Sequence, residues 1–219
     1  MATAPRPHSR RLALLILAGL CALAGGCGGD DGSSGSAKDS DEQQIFAAVE
    51  RLMESERVDD QCEKAVSERF VREVYVTLAR CREANKPDDD DDEPDSARIS
   101  ATRIDDDDDD KATTGVTLTS AKGSRATGRL ALVKVAGTWK VDRLGVDFLR
   151  SIFATLPKEA PTAEERLVLE CLAEATRTMS NREVRRLGNL LIGQQLEPGS
   201  FPAGALRCIR RQSRPTQEV

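Results

Sequence analysis

The apolar positions of this chain change their period three times. Leu12 to Leu23 is a continuous apolar run with no charge in it, closed by Ala24-Gly25-Gly26. Ile45, Phe46, Val49, Leu52 and Met53 then recur at helical spacing. Ser40-Asp41-Glu42-Gln43 ahead of them has the form of a capping box, in which the serine caps the helix and the glutamine reaches back. A break near Val58-Asp59-Asp60 precedes a second helical pattern made by Val66, Phe70, Val74 and Leu78, flanked by Val71 and Tyr75.

Beyond the polar stretch Asp88–Asp95 the period shortens. Four segments rich in β-branched residues show partial alternation and predict strands over Arg98–Ile104, Thr113–Ser120, Arg125–Val135 and Thr138–Leu144. The aspartate run Asp105–Asp110 separates the first two. Ala136-Gly137 joins the last two as a short turn, with glycine where a positive φ is needed. After Pro157 and Pro161 the pattern is helical again. Thr162 to Glu165 is a capping box that opens a helix bearing Leu167, Val168, Cys171, Leu172, Ala175 and Met179 on one face. Ser180 to Glu183 opens another, carrying Val184, Leu187, Leu190 and Leu191 and ended by Pro198-Gly199. A short last helix starts near Ser200 with Leu206, Cys208 and Ile209. Helices followed by an antiparallel meander predict an α+β domain.

The first apolar run decides the compartment. Arg6, Arg10 and Arg11 precede it, which is the layout of a secretory signal. From Leu12 to Gly26 it is 15 residues long, short of the roughly 20 that a bilayer span needs. Cys27 follows directly. ALAGGC resembles the lipobox of bacterial lipoprotein precursors, with Ala24 where that family usually carries leucine and Leu23 one place further back. The resemblance implies that Cys27 is diacylated and becomes the new N-terminus. Cys21 is a competing position, but bulky Leu20 stands at its cut site. Two acyl chains, at ~0.8 kcal/mol per buried CH₂, hold where one is marginal. GGDDGSSGSAKDSD after Cys27 reads as a flexible tether that lifts a domain from the surface. An ordinary signal, cleaved to release a soluble secreted protein, is the plainer alternative.

This address changes the meaning of the cysteines. Cys62, Cys81, Cys171 and Cys208 remain in the exported part, an even set that reads as two disulfides. Three pairings are open; Cys62–Cys81 and Cys171–Cys208 each stay within one compositional half. Buried free thiols are the rival reading. On one straight helix Cys62 and Cys81 would lie about 28 Å apart, against the ~7 Å that a disulfide tolerates. If they pair, the chain bends back between them as two short helices.

Composition removes several function classes. Without residues 1–26 the chain has 29 basic and 37 acidic residues, 29 − 37 = −8, which disfavours nucleic acid as a partner. His8, the one histidine, lies in the signal. The mature chain therefore lacks a Ser-His-Asp or Cys-His system and the usual zinc ligands, and neither a cofactor nor a metal centre is expected. The runs Asp88–Asp92 and Asp105–Asp110 lack the spacing of a calcium loop and read as solvated charge. From Ala160 onward the balance is nine basic to seven acidic residues, or +2. Arg182, Arg185 and Arg186, with Arg207, Arg210, Arg211 and Arg214, form either a basic face towards anionic headgroups or an acidic partner, or ordinary solvated helix surface.

The helical hairpin followed by strands ending in LVKVAGTWKVDRL resembles the nuclear transport factor 2-like (SnoaL-like) superfamily over Asp41–Leu156. That resemblance implies N-terminal helices wrapped by a curved antiparallel sheet into a cone, with Trp139 and Tyr75 as candidate pocket residues beside their plainer role as core. Enzymes of the superfamily place a histidine or aspartate inside the cone. Asp142, Asp147, Glu63 and Glu73 are the carboxylates from which an acid–base pair would come. The expected organisation is a signal over 1–26, a tether over 27–40, the NTF2-like domain over 41–156, a disulfide-stapled helical region over 157–212 and a tail over 213–219. The expected function is a non-catalytic binding module, lipid-anchored through Cys27 in the cell envelope. It would contact an envelope protein or hold a small apolar ligand. The alternatives are a carboxylate-dependent SnoaL-like enzyme and an acidic, calcium-associated surface protein.

Overall fold

The computed structural model describes residues 37–54, 57–86, 96–105, 108–120, 122–195 and 200–212. Residues 1–36, where the signal, Cys27 and the tether are expected, lie outside the described residues, as do Asp88–Asp92, Pro198-Gly199 and 213–219. Helix α1 runs Ala37–Glu54. It starts three residues ahead of Ser40, so that serine sits inside the helix, exposed, and does not cap it. The helix formers Ala37 and Lys38 carry the helix backwards past the capping sequence. Ile45, Ala48, Val49, Leu52 and Met53 form its buried stripe, the i, i+3, i+4, i+7, i+8 pattern of a helix with one face in a core.

The chain then doubles back. A π-helical segment, Asp60–Ala65, leads to α2, Glu68–Val74, and α3, Leu78–Ala84. Ser67 and Thr77 cap these helices, accepting from the Phe70 and Arg80 backbone N–H groups. Between them Val76 has φ 70°, unusual for a β-branched residue, and this turns α3 against the π-helical segment. Cys62 and Cys81 are thereby brought to 5.9 Å between Cα atoms and bonded. The Asn85 amide covers the bridge, donating to the Cys81 carbonyl at 2.8 Å.

The sheet is a four-stranded antiparallel meander in the order β1 (Ser96–Asp105), β2 (Asp108–Thr119), β3 (Arg125–Val135), β4 (Thr138–Leu144). It is curved and open. The aspartate run is not a loop throughout: Asp105 pairs with Asp108, so it supplies the ends of both strands, and 106–107 lie outside the described residues. Asp109 and Asp110 keep their carboxylates exposed while the backbone pairs. At the β3–β4 turn Ala136 has φ 49° and Gly137 φ 79°, the two positive values that a type I′ hairpin demands. One sheet face is buried through Ala112, Thr114, Val116, Leu118, Ala126, Leu130, Leu132, Trp139 and Val141. The other carries Thr113, Thr127 and Arg129 in solvent.

Helix α4, Val146–Glu159, is an element that the periodic reading passed over. Phe148, Leu149, Ile152, Phe153 and Leu156 make its buried face. It takes over the edge of β3 where β4 ends: Gly145 N–H donates to the Arg129 carbonyl at 2.7 Å, and Thr127 N–H donates to Ser151 Oγ at 2.8 Å. Edge groups that would otherwise be orphaned are thus paired. Helices α5 (Ala163–Thr178), α6 (Asn181–Ile192) and α7 (Ala203–Gln212) follow. The α5 face is rotated from the expected one: Leu169, Leu172 and Thr176 are buried, whereas Leu167 is 64% exposed. Packing against both α4 and α7 selects that face. Cys171–Cys208 ties α5 to α7 at a Cα separation of 5.6 Å. Core residues from α1 to α7 form one contiguous cluster.

The two disulfides indicate an oxidising, extracytoplasmic compartment. Among the described residues no helix is long and apolar enough to cross a membrane.

Candidate functional site

The most distinctive site in the described fold lies where α2, the end of β4 and α6 meet. It is a cleft of 370 Å³, lined by Arg69, Glu73, Arg143, Arg182, Arg185, Arg186, Asn189, Leu190 and Gln195. Five guanidinium groups face one carboxylate along its walls.

Each wall has a local cause. On α6, Arg182, Arg185, Arg186 and Asn189 follow helical spacing on one side, while Val184, Leu187 and Gly188 are buried on the other. The capping box of Ser180 and Glu183 starts this helix. Three arginines in its first turns oppose the helix dipole, which favours acidic residues there, so helix stability alone does not explain them. On α2, Arg69 and Glu73 are one turn apart and pair at 2.7 Å. This hydrogen bond raises the Arg69 pKa, keeping the guanidinium charged.

Arg143 arrives by a different route. In β4, Trp139 and Val141 point into the core, and unbroken alternation would send Arg143 after them. Val141 pairs with Leu132 and Arg143 with Ala131, leaving Asp142 as an extra residue. This β-bulge shifts the alternation, so that Leu144 is buried and Arg143 turns towards the cleft. Asp142 is held from both sides: Ser67 Oγ donates to its Oδ1 at 2.7 Å, and Arg69 Nη1 lies 3.5 Å from its Oδ2.

The floor is rigid. Gly193 follows α6, where any Cβ would collide with the Val74 carbonyl oxygen. Gln195 Nε2 donates to that same oxygen at 2.5 Å. Nε of Arg143 and of Arg185 is buried without a hydrogen-bond partner. Among the described residues no carboxylate lies within 4.0 Å of Arg182, Arg185 or Arg186. Counting Glu73 and Asp142 against the five arginines, the cleft carries 5 − 2 = +3 in a chain of net charge −5.

The residues singled out from sequence take different places. Glu73 and Asp142 both meet Arg69, whereas Glu63 pairs with Arg82 on α3 and Asp147 with Arg129 at 2.7 Å. Burial pushes the Asp147 carboxyl up, yet the Arg129 hydrogen bond and the Phe148 N–H outweigh it, and its pKa is lowered. Trp139 and Tyr75 are enclosed in the core and do not line the cleft. Arg207 is exposed on α7 and does not line the cleft. The α7 backbone reaches past Arg210 and Arg211, whose side chains, with Arg214, lie outside the described residues. Among the described residues no group of three or more acidic, cysteine or histidine side chains is placed to hold a metal ion.

Sequence reasoning found the α6 arginines but not Arg69 or Arg143 as their companions. The Arg69–Glu73 spacing was visible; the bulge that redirects Arg143 was not. These features define an α+β protein with a cationic cleft at a helix–sheet junction. No family model matches the chain, and no curated protein or solved structure matches it.

Proposed function

We propose that this chain is an exported, lipid-anchored binding module of the bacterial cell envelope, non-catalytic, held to the membrane through acylated Cys27. Its ligand site is the arginine cleft, and its ligand is anionic. The observation that carries this reading is the convergence of five guanidinium groups from three elements with a local excess of +3. Fixed like charges oppose folding by mutual repulsion, and an anion seated among them removes that repulsion. The signal layout and the two disulfides support export. The carboxylates named as an acid–base pair are engaged by arginines, which favours binding over proton transfer.

Residues 41–156 are NTF2-like, a reading supported by helices that precede a curved antiparallel sheet and by the phrase LVKVAGTWKVDRL. The site lies at the rim of that sheet and not in its enclosed interior, which Trp139 and Tyr75 fill.

The test is mass spectrometry of the full-length protein, extracted from bacterial membranes without reductant. The expected result is a lipid-modified N-terminal Cys27 and an anionic adduct that a combined Arg182→Ala, Arg185→Ala, Arg186→Ala variant loses. A Cys27→Ala variant that keeps its membrane partitioning would refute the anchor. An adduct unchanged in the triple variant would refute the cleft as the site.

A further inference from the structure

We propose that the cleft recognises a phosphomonoester, carried on a small molecule or on a lipid headgroup; this rests on the reading of the cleft as an anion site. Charge decides first. A carboxylate carries one negative charge, but a phosphate monoester carries about −1.5 to −2 at neutral pH and answers the local excess of +3 more fully. Geometry decides second. The guanidinium groups come from α2, β4 and α6 and so approach from different sides. That arrangement suits a tetrahedral group with three terminal oxygens better than a planar carboxylate, which one arginine fork can satisfy.

The residue type adds a third argument. Every cation in the lining is arginine and none is lysine; the guanidinium is permanently charged and matches phosphate oxygens two at a time. The buried, partnerless Nε atoms of Arg143 and Arg185 are donors of the kind that a bound anion or its water satisfies. Size decides that the ligand exceeds inorganic phosphate. A cleft of 370 Å³ falls within the roughly 300–1,000 Å³ of small-molecule sites, and Asn189, Leu190 and Gln195 line the part that arginine does not. They supply amide and apolar contacts for the remainder of an ester.

Both sources of that chemistry are within reach. From an acylated Cys27 to Ala37 is ten residues, at most about 35 Å of chain. The domain therefore stays near the headgroup layer while remaining open to soluble esters.

The experiment follows thermal unfolding of the full-length protein in detergent at constant ionic strength. The probes are glycerol 3-phosphate, inorganic phosphate, acetate and an oligo-aspartate peptide. A parallel series uses phosphatidylcholine bicelles with and without phosphatidic acid, whose headgroup is a phosphomonoester. At about 100-fold excess over Kd, glycerol 3-phosphate is expected to raise Tm by roughly 5–10 °C, with acetate giving no shift. An effect confined to phosphatidic acid bicelles assigns a headgroup, and one seen with the free ester assigns a soluble ligand. Arg185→Ala with Arg186→Ala should weaken binding about tenfold or more. Arg185→Lys with Arg186→Lys keeps the charge but loses the fork, and should also weaken it while Tm in chloride stays at the parent value. Acetate or the peptide stabilising as well as the phosphate ester would overturn the phosphoryl assignment and leave the anion site standing. No shift with any anion would overturn both.

Discussion

Trp139 Nε1 donates to Asp41 Oδ1 at 2.9 Å, across 98 residues of chain. Lys134 Nζ donates to the same oxygen at 2.7 Å and stands 5.6 Å from the indole centroid. One carboxylate at the start of α1 thus locks that helix onto β3 and β4. A carboxylate that accepts two hydrogen bonds cannot be removed without leaving a fully buried indole N–H unpaired. Asp41→Ala should cost about 1–3 kcal/mol and lower Tm by a few degrees in a thermal melt.

The same contact makes stability depend on pH. The Lys134 hydrogen bond, then that of Trp139, lowers the Asp41 pKa. A depressed carboxylate stabilises the fold above its unfolded pKa of about 3.9. That contribution falls away as pH drops through the folded value. Urea unfolding from pH 7 downward should show a loss beginning near pH 4 that is smaller in Asp41→Asn. Parallel curves for the two proteins would contradict this role.

The disulfides close loops of 19 and 37 residues. Chain-entropy arithmetic assigns them about 3 and 4 kcal/mol. Paired Cys→Ser replacement at 62 and 81, and separately at 171 and 208, should lower urea midpoints, with the larger drop for 171 and 208. Reductant should reproduce the combined loss in the parent protein and leave the midpoint of a chain that lacks both bridges unchanged.

Ser67 Oγ serves two partners, accepting from Phe70 N–H at 3.1 Å and donating to Asp142 at 2.7 Å. Ser67→Ala removes a helix cap and a carboxylate donor together, with an expected cost of about 1–2 kcal/mol. Because Asp142 sits at the bulge that presents Arg143, anion binding should weaken more than the loss of stability explains. Unchanged affinity in a folded Ser67→Ala protein would detach the bulge from the site.

Gly193 is where α6 meets α2. A Cβ there collides with the Val74 carbonyl oxygen, a backbone atom that cannot swing aside. Gly193→Ala should destabilise by about 1–3 kcal/mol, in the range of overpacking. It should also widen the cleft by pushing α6 away from Arg69 and Glu73, so binding and stability fall together. Differential scanning fluorimetry with and without glycerol 3-phosphate reads both.

Much of the architecture was legible in residue order. Arg125–Val135 and Thr138–Leu144 were bounded as observed, because alternation and a turn with two positive φ values both act over a few residues. The capping signals at Thr162 and Ser180 were equally local. A Cys62–Cys81 bridge demands a reversal of the chain, since a straight helix would hold the sulfurs too far apart. Helix α4 escaped notice because its apolar stripe lies between a strand and two prolines, where neither boundary signal is sharp. Ser40 misled because a capping sequence competes with whatever helix formers precede it.

Sequence by itself determined the α+β order, the pairable cysteines and the cationic face of α6, all set by short-range spacing and composition. Only the tertiary structure decided that the α6 arginines share a cleft with Arg69 and Arg143. That meeting depends on a one-residue bulge at Asp142, set by the register of β4 on β3, and on the fit of Gly193 against Val74, 193 − 74 = 119 residues away along the chain. Such contacts are selected by packing between elements, which leaves no periodic trace along the chain.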